Sequence, residues 1–284
     1  MSSALSWAKH LFIKRGTKVI LQALKMQRLH RTSSEELFAN MFEVLDEYDA
    51  SFTFPLTMRT GVAHPELTKM LRDSRHEVAI HGYKHLRYEF LPREHQEADL
   101  REAIKACRRL GIPVRGFRAP YNRYNEDTKE LLAKYHFRWD GGVGYLPENR
   151  TKQEFFKPDL RNGEESSYTC FPVNRWSDDL MIDYLNYSGA TIGRMLERQI
   201  GKVVPTGGLV TFDLHPIRIG QPEYVVGMAA ALDFCRKNDV WAPTVWEGLQ
   251  YWQKNKRWKG GAKACCLLTG DVDNYTFWDY LKRF

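Results

Sequence analysis

The chain has 284 residues, 43% of them apolar, enough to bury the core of one large barrel as readily as those of two small domains. Its net charge of +7 and pI near 9.1 favour acidic partners such as anionic glycans, phosphate-linked lipids or membrane surfaces. Nucleic acid is set aside as a partner, because the basic residues are spread along the chain and no nucleic-acid motif accompanies them.

In residues 1–33 the cations Lys9, Lys14, Arg15, Lys18, Lys25 and Arg28 interrupt every apolar stretch, so the segment lacks both a signal-peptide core and the length of a membrane span. Their spacing permits a basic amphipathic helix, packed on the body or touching a membrane surface. The five cysteines, Cys107, Cys170, Cys235, Cys265 and Cys266, form no CxxC spacing and read as reduced thiols. The expectation is a cytoplasmic protein, open to membrane association and to homo-oligomerisation. No linker or internal repeat divides residues 34–284, which are read as a single domain.

Short apolar, β-rich runs then alternate with amphipathic segments. The runs lie near 50–56, 77–81, 114–119, 137–141, 167–173, 208–215, 240–245 and 263–270. Helical patterns fall between them, in "SSEELFANMFEVLDEYD", "HPELTKMLRDS", "EHQEADLREAIKACRRLG" and "NEDTKELLAKYH", the first opened by a Ser-x-x-Glu capping box. This order predicts an α/β fold, a parallel sheet with crossover helices closed into a barrel. The chemistry of such a barrel sits at the C-terminal ends of its strands.

Several runs end in residues suited to that place. "AIHGYKH" sets His81 and His85 four apart, so one helical turn would aim both imidazoles the same way, a good metal-ligand spacing. "LLTGDVDNY" carries Asp271 and Asp273, which alternation along an extended chain turns to one side; the plain alternative is a solvated acidic turn. A His-His-carboxylate set suits zinc with room for water, and the second carboxylate could take a proton from that water. "GFRAPY" offers Arg118, whose planar fork can hold a carboxylate, and the Tyr121 N–H as an oxyanion donor, although an ordinary Arg-Pro turn reads the same. "TFDLHP" ends on Leu214 and His215, a histidine placed to serve as a general acid or, equally, to be a satisfied loop residue. His10, His30, His64, His76, His95 and His136 lack partner spacing and are read as structural. Trp7, Trp139, Trp176, Trp241 and Trp246 could supply sugar-stacking platforms, core packing being their commoner role.

Taken in order, "HGYKH", "RAPY" and "DLHP" resemble the polysaccharide deacetylase (NodB-homology) family, the carbohydrate esterase family 4 type, across residues 34–252. The resemblance implies a distorted seven-stranded (β/α)7 barrel and removal of an N-acyl group from an amino sugar in a glycan or lipid-linked saccharide. It further implies a divalent metal, zinc first, on Asp273, His81 and His85. Asp271 becomes the base, Arg118 its holder, Tyr121 the oxyanion donor and His215 the acid. Leu214 would line the acyl pocket, with Asp140, Asp178, Asp179 and Trp139 as further pocket candidates, one of the three aspartates tuning His215.

One departure stands out. The family opens on an aspartate-bearing strand, and here the matching "TGDVD" lies at the far end, as if the first strand had been circularly permuted to the C-terminus. The moved strand would fill its own barrel or a neighbour's. Rival readings are hydrolysis of another non-peptide C–N bond, a metal-free glycosidase with two carboxylates, and a non-catalytic glycan-binding protein on the same fold.

Overall fold

Each of the eight apolar runs supplies one parallel strand, in a computed structural model that describes residues 17–142 and 154–282. They are β1 (Thr53–Leu56), β2 (Glu77–Ile80), β3 (Gly116–Phe117), β4 (Trp139–Asp140), β5 (Thr169–Cys170), β6 (Leu209–Asp213), β7 (Val240–Trp241) and β8 (Ala264–Thr269). Seven of them follow the order β5-β4-β3-β2-β1-β8-β6, and β7 pairs the start of β8. The two ends of this path meet through one backbone bond, Asn174 N–H to Thr211 O at 2.8 Å, so the sheet curls into the expected seven-stave (β/α) barrel. β1, β2, β6 and β8 are buried along their whole length, which is why they read as continuous apolar runs rather than alternating ones. Four strands pair over only two residues, shorter than their runs, because twist carries neighbours out of register quickly.

β8, the last strand of the chain, lies between β1 and β6. Leu209–Asp213 of β6 pairs with Cys265–Thr269 on one side, and Thr53 of β1 pairs with Thr269 on the other. The C-terminal strand therefore closes its own barrel, not a neighbour's.

Helices cover the sheet: α1 (Thr17–Leu29), α2 (Ser34–Glu47), α3 (Met58–Ala63), α4 (Pro65–Asp73), α5 (Arg93–Leu110), α6 (Glu126–Lys134), α7 (Gly189–Val203), α8 (Pro216–Ile219), α9 (Pro222–Lys237), α10 (Val245–Asn255) and α11 (Phe277–Lys282). The expected capping box at Ser33 forms only by half, the Ser33 hydroxyl accepting from Glu36 N–H at 3.2 Å. A complete box opens α10, where Thr244 and Glu247 satisfy each other. Among the described residues no helix is long and apolar enough to cross a membrane. Of the segment 1–33, residues 1–16 lie outside the described residues; α1 buries Met26, and the Leu29 carbonyl is held by Gln221 Nε2 at 2.8 Å.

Candidate active site

β2 runs directly into "HGYKH". Gly82 sits at φ +75, and a Cβ there would lie 2.8 Å from the Lys84 carbonyl oxygen, so only glycine makes this turn without strain. Buried Asp99 clamps the turn, accepting from Tyr83 N–H (2.8 Å), Lys84 N–H (3.0 Å) and the Tyr88 hydroxyl (2.8 Å). The turn brings the His81 and His85 rings to 5.1 Å between centroids.

The "TGDVD" segment arrives from β8 beside them. Gly270 is again required, because a Cβ would fall 1.8 Å from the Leu214 carbonyl oxygen of the adjoining strand end. Val272 extends the pairing onto β1, donating to Pro55 O at 2.8 Å, and Thr60 Oγ1 donates to Asp273 O at 2.8 Å. With Val272 held in the ladder, Asp271 and Asp273 both turn to the histidines. His81 Nε2 lies 3.4 Å from Asp271 Oδ2 and 3.3 Å from Asp273 Oδ1, and His85 Nε2 lies 3.4 Å from that same Asp273 oxygen.

These donors fit a metal. One donor atom each from His81, His85 and Asp273 can be chosen within 4.8 Å of one another. The His81 Nδ1 lies 2.8 Å from the Arg118 carbonyl oxygen, which fixes that nitrogen as a donor and turns the buried Nε2 towards Asp271 and Asp273, where it can offer its lone pair to a cation. Two imidazoles and a carboxylate suit zinc, with other first-row divalent ions able to use the same atoms.

Arg118, fully buried at the end of β3, joins the two acidic strand ends. Its Nη1 donates to Asp213 Oδ1 at 3.0 Å and to Asp271 Oδ1 at 3.2 Å, and Nη2 donates to the Thr269 hydroxyl. Burial and the neighbouring Asp213 charge push Asp271 up to about 6, against the pull of His81 and Arg118. Asp213 keeps its carboxylate below the usual range; burial opposes this, and Arg118 outweighs it.

His215 follows β6. Its Nδ1 lies 2.7 Å from Asp178 Oδ1, which leaves Nε2 as its working nitrogen. Burial lowers the imidazole's proton affinity, but the charges of Asp178 and Asp213 outweigh it and raise His215 to about 10. Of the three aspartates considered for this place, Asp178 occupies it. Asp179 lines the cavity beside it, and a donor atom of Asp179 lies within 4.8 Å of His215 and Asp178. Asp140 stands elsewhere, under Arg118, accepting from the Tyr124 hydroxyl (2.7 Å) and Gly142 N–H (2.9 Å).

Tyr121 adopts φ 63, ψ 13, a left-handed conformation rare for an aromatic residue, and its ring meets His85 edge-on at 4.6 Å. Tyr121, Asp271, Asp273, His85 and His215 share one cavity of about 440 Å³, open to the surface.

Two expectations for the pocket are corrected. Leu214 is fully buried and does not line the cavity, its carbonyl being pressed against Gly270. Trp139 is also fully buried, and its indole N–H donates to Glu77 Oε1 at 2.9 Å, where β2 begins. That is the N-terminal end of the barrel, opposite the cavity. Trp246 lies there too, its backbone N–H donating to Glu77 Oε2 at 2.9 Å, while Trp176 packs on the core and Trp241 meets Tyr251 edge-on. None of these tryptophans lines the cavity, and Trp7 lies outside the described residues. The histidines read as structural include two that tether the C-terminal segment: His64 bonds Asp279 at 2.8 Å, and His30 bonds Asn274 at 2.8 Å.

Sequence reasoning passed over Asp213, Asn122 and Thr269. Asp213 takes Arg118 on one oxygen and Asn122 Nδ2, at 3.0 Å, on the other. The signal was present in "TFDLHP", where an aspartate ends an otherwise apolar strand two residues before His215.

Known proteins resemble this chain in sequence and in fold. A polysaccharide deacetylase family model matches residues 26–139. A peptidoglycan deacetylase of Helicobacter pylori is 25% identical over 156 residues, which is 49% of this chain and 53% of that protein, so the match spans about half the length of the relative. A Mycobacterium smegmatis protein designated a polysaccharide deacetylase superposes with a TM-score of 0.69 at 21% identity, over 90% of this chain and 87% of that one. The PuuE allantoinase superposes with a TM-score of 0.69 at 16% identity, over 83% and 78% of the two chains. These two structures share the barrel. The chain thus carries the polysaccharide deacetylase signature over residues 26–139, within a barrel that these solved structures share.

Proposed function

We propose that the chain hydrolyses the N-acyl amide, acetyl first, of an amino sugar in a glycan or glycan precursor, with a divalent cation held by His81, His85 and Asp273. The observation that carries this reading is the convergence of an Arg118-held Asp271 and an Asp178-held His215 on one cavity beside those three ligands. A cation bound there supplies Lewis-acid polarisation of the acyl oxygen and acidifies water. Asp271 takes a proton from the attacking water, whose oxygen bonds to the acyl carbon. The Tyr121 N–H donates to the acyl oxygen as negative charge gathers on it. His215 Nε2 gives its proton to the nitrogen as the C–N bond breaks, leaving a carboxylate and a free amine. Asp213 and Asn122 act behind Arg118, fixing its fork.

The position of β8 between β1 and β6 supports the circular-permutation reading, in which the family's opening strand is carried at the C-terminus and still fills its own slot. A second reading is a small non-sugar amide, favoured by the lack of any tryptophan among the cavity-lining residues described.

The test pairs metal analysis with acetate release from N-acetylglucosamine oligomers, for the native chain and Asp273→Ala. Near-stoichiometric zinc and acetate release, both lost in the variant, are expected. Zinc retained in the variant removes Asp273 from the site. Metal without acetate release, but with turnover of a small cyclic amide, selects the second reading.

A further inference from the structure

The mouth of the cavity is bordered by exposed apolar side chains that the proposed reaction does not use. α1 crosses this mouth, Gln22 and Met26 lining the cavity. Its outer face carries Leu21, 64% exposed, and Leu24, 56% exposed, with Lys25 and Arg28 at the helical spacings that share that face. The helix contains no acidic residue. Lys25 ties this face to the next element, donating to the Asp183 carbonyl at 3.0 Å and lying over the Tyr184 ring at 5.9 Å. Tyr184 is 79% exposed, and Leu185 beside it is also exposed. Exposed Trp278 extends the patch from α11, whose neighbouring Phe277 meets His30 just beyond the end of α1.

We infer that this face docks the protein on an anionic lipid surface, with the cavity mouth turned towards the headgroups. Exposed leucines alternating with cations bury apolar area at the acyl boundary while the cations meet anionic heads. Tyrosine and tryptophan suit the same depth, having an apolar body and a polar tip. The chain's net charge of +7 adds long-range attraction to such a surface. A second copy of the chain fits less well, because pairing this face with itself would oppose Lys25 and Arg28 to their own kind. A bare glycan fits less well too: Tyr184 and Trp278 offer it flat rings, but exposed Leu21 and Leu24 offer it neither a ring nor a hydrogen bond, whereas a lipid surface uses all four. The inference stands independently of the reaction proposed above.

The experiment is co-sedimentation of the full chain with vesicles of phosphatidylcholine alone and of phosphatidylcholine mixed with phosphatidylglycerol, at low and high salt. Binding to the mixed vesicles that weakens with salt, and that falls roughly tenfold or more in a Leu21→Ser/Leu24→Ser variant, is expected. Both leucines are exposed, so the variant should keep its melting temperature and its acetate release from soluble oligomers. No vesicle binding, or equal binding by the variant, overturns the inference. So does retention on insoluble chitin without vesicle binding, or a concentration-dependent dimer that the two substitutions abolish.

Discussion

His215 Nδ1 stands 2.7 Å from Asp178 Oδ1, although the two residues are 37 positions apart and belong to different loops. The pairing fixes the tautomer of His215 and holds its proton in place through neutral pH, raising it to about 10. Replacing Asp178 by Asn removes the charge and leaves burial, which acts in the opposite direction. The acid form is then lost at lower pH: the alkaline limb of the kcat profile should move down by roughly 1–3 pH units, with kcat reduced roughly a hundredfold at its optimum. A limb that does not move removes His215 from the role of acid.

Arg118 neutralises two carboxylates that face each other across the ends of β6 and β8. Arg118→Met leaves Asp213 and Asp271 buried without their cation, so urea unfolding should show a loss of about 3–5 kcal/mol together with loss of acetate release. Arg118→Lys should recover part of the stability but little activity, because one ammonium cannot reach Asp213, Asp271 and Thr269 in a single plane.

Gly82 separates the two histidines at φ +75. In Gly82→Ala the new Cβ meets the Lys84 carbonyl and the Asp99 carboxylate, so the turn shifts and carries His85 with it. Chemical denaturation should register roughly 1–3 kcal/mol of destabilisation, and zinc titration a weaker site. Native zinc affinity in this variant would contradict the assignment of His85 as a ligand.

Adding zinc to chelator-treated protein should raise its melting temperature, since a ligand that binds only the folded state stabilises it by mass action, about 2.7 kcal/mol at a hundredfold excess over Kd. Asp273→Ala should show no such rise. A native-sized rise in that variant would locate the ion elsewhere, for instance at Asp178, Asp179 and His215.

Much of this fold was legible locally. Every strand lies inside a run of apolar and β-branched residues, and α2, α4, α5 and α6 follow the periodic segments between them. The exact ladders were not, since four strands keep two paired residues and their length depends on how the sheet curls. Of the site, the residue types at strand ends were legible, His81 and His85 by spacing and Arg118 and His215 by their motifs. Asp213 was hidden because it reads as the polar end of an apolar strand, and Asn122 because its side-chain partner, Asp213, lies 91 positions away on β6.

The sequence by itself determined which side chains could do chemistry and that each would stand at the end of a parallel strand, because local patterning is a matter of nearest neighbours along the chain. Only the tertiary structure decided which of them meet. Arg118 reaches Asp271 over 153 positions because β8 takes the place between β1 and β6, and Asp178 rather than Asp140 reaches His215 because its loop folds back over the cavity. Strand neighbours are chosen by backbone hydrogen bonds between remote segments and by burial of both faces of the sheet, and neither is written into any short stretch of residues.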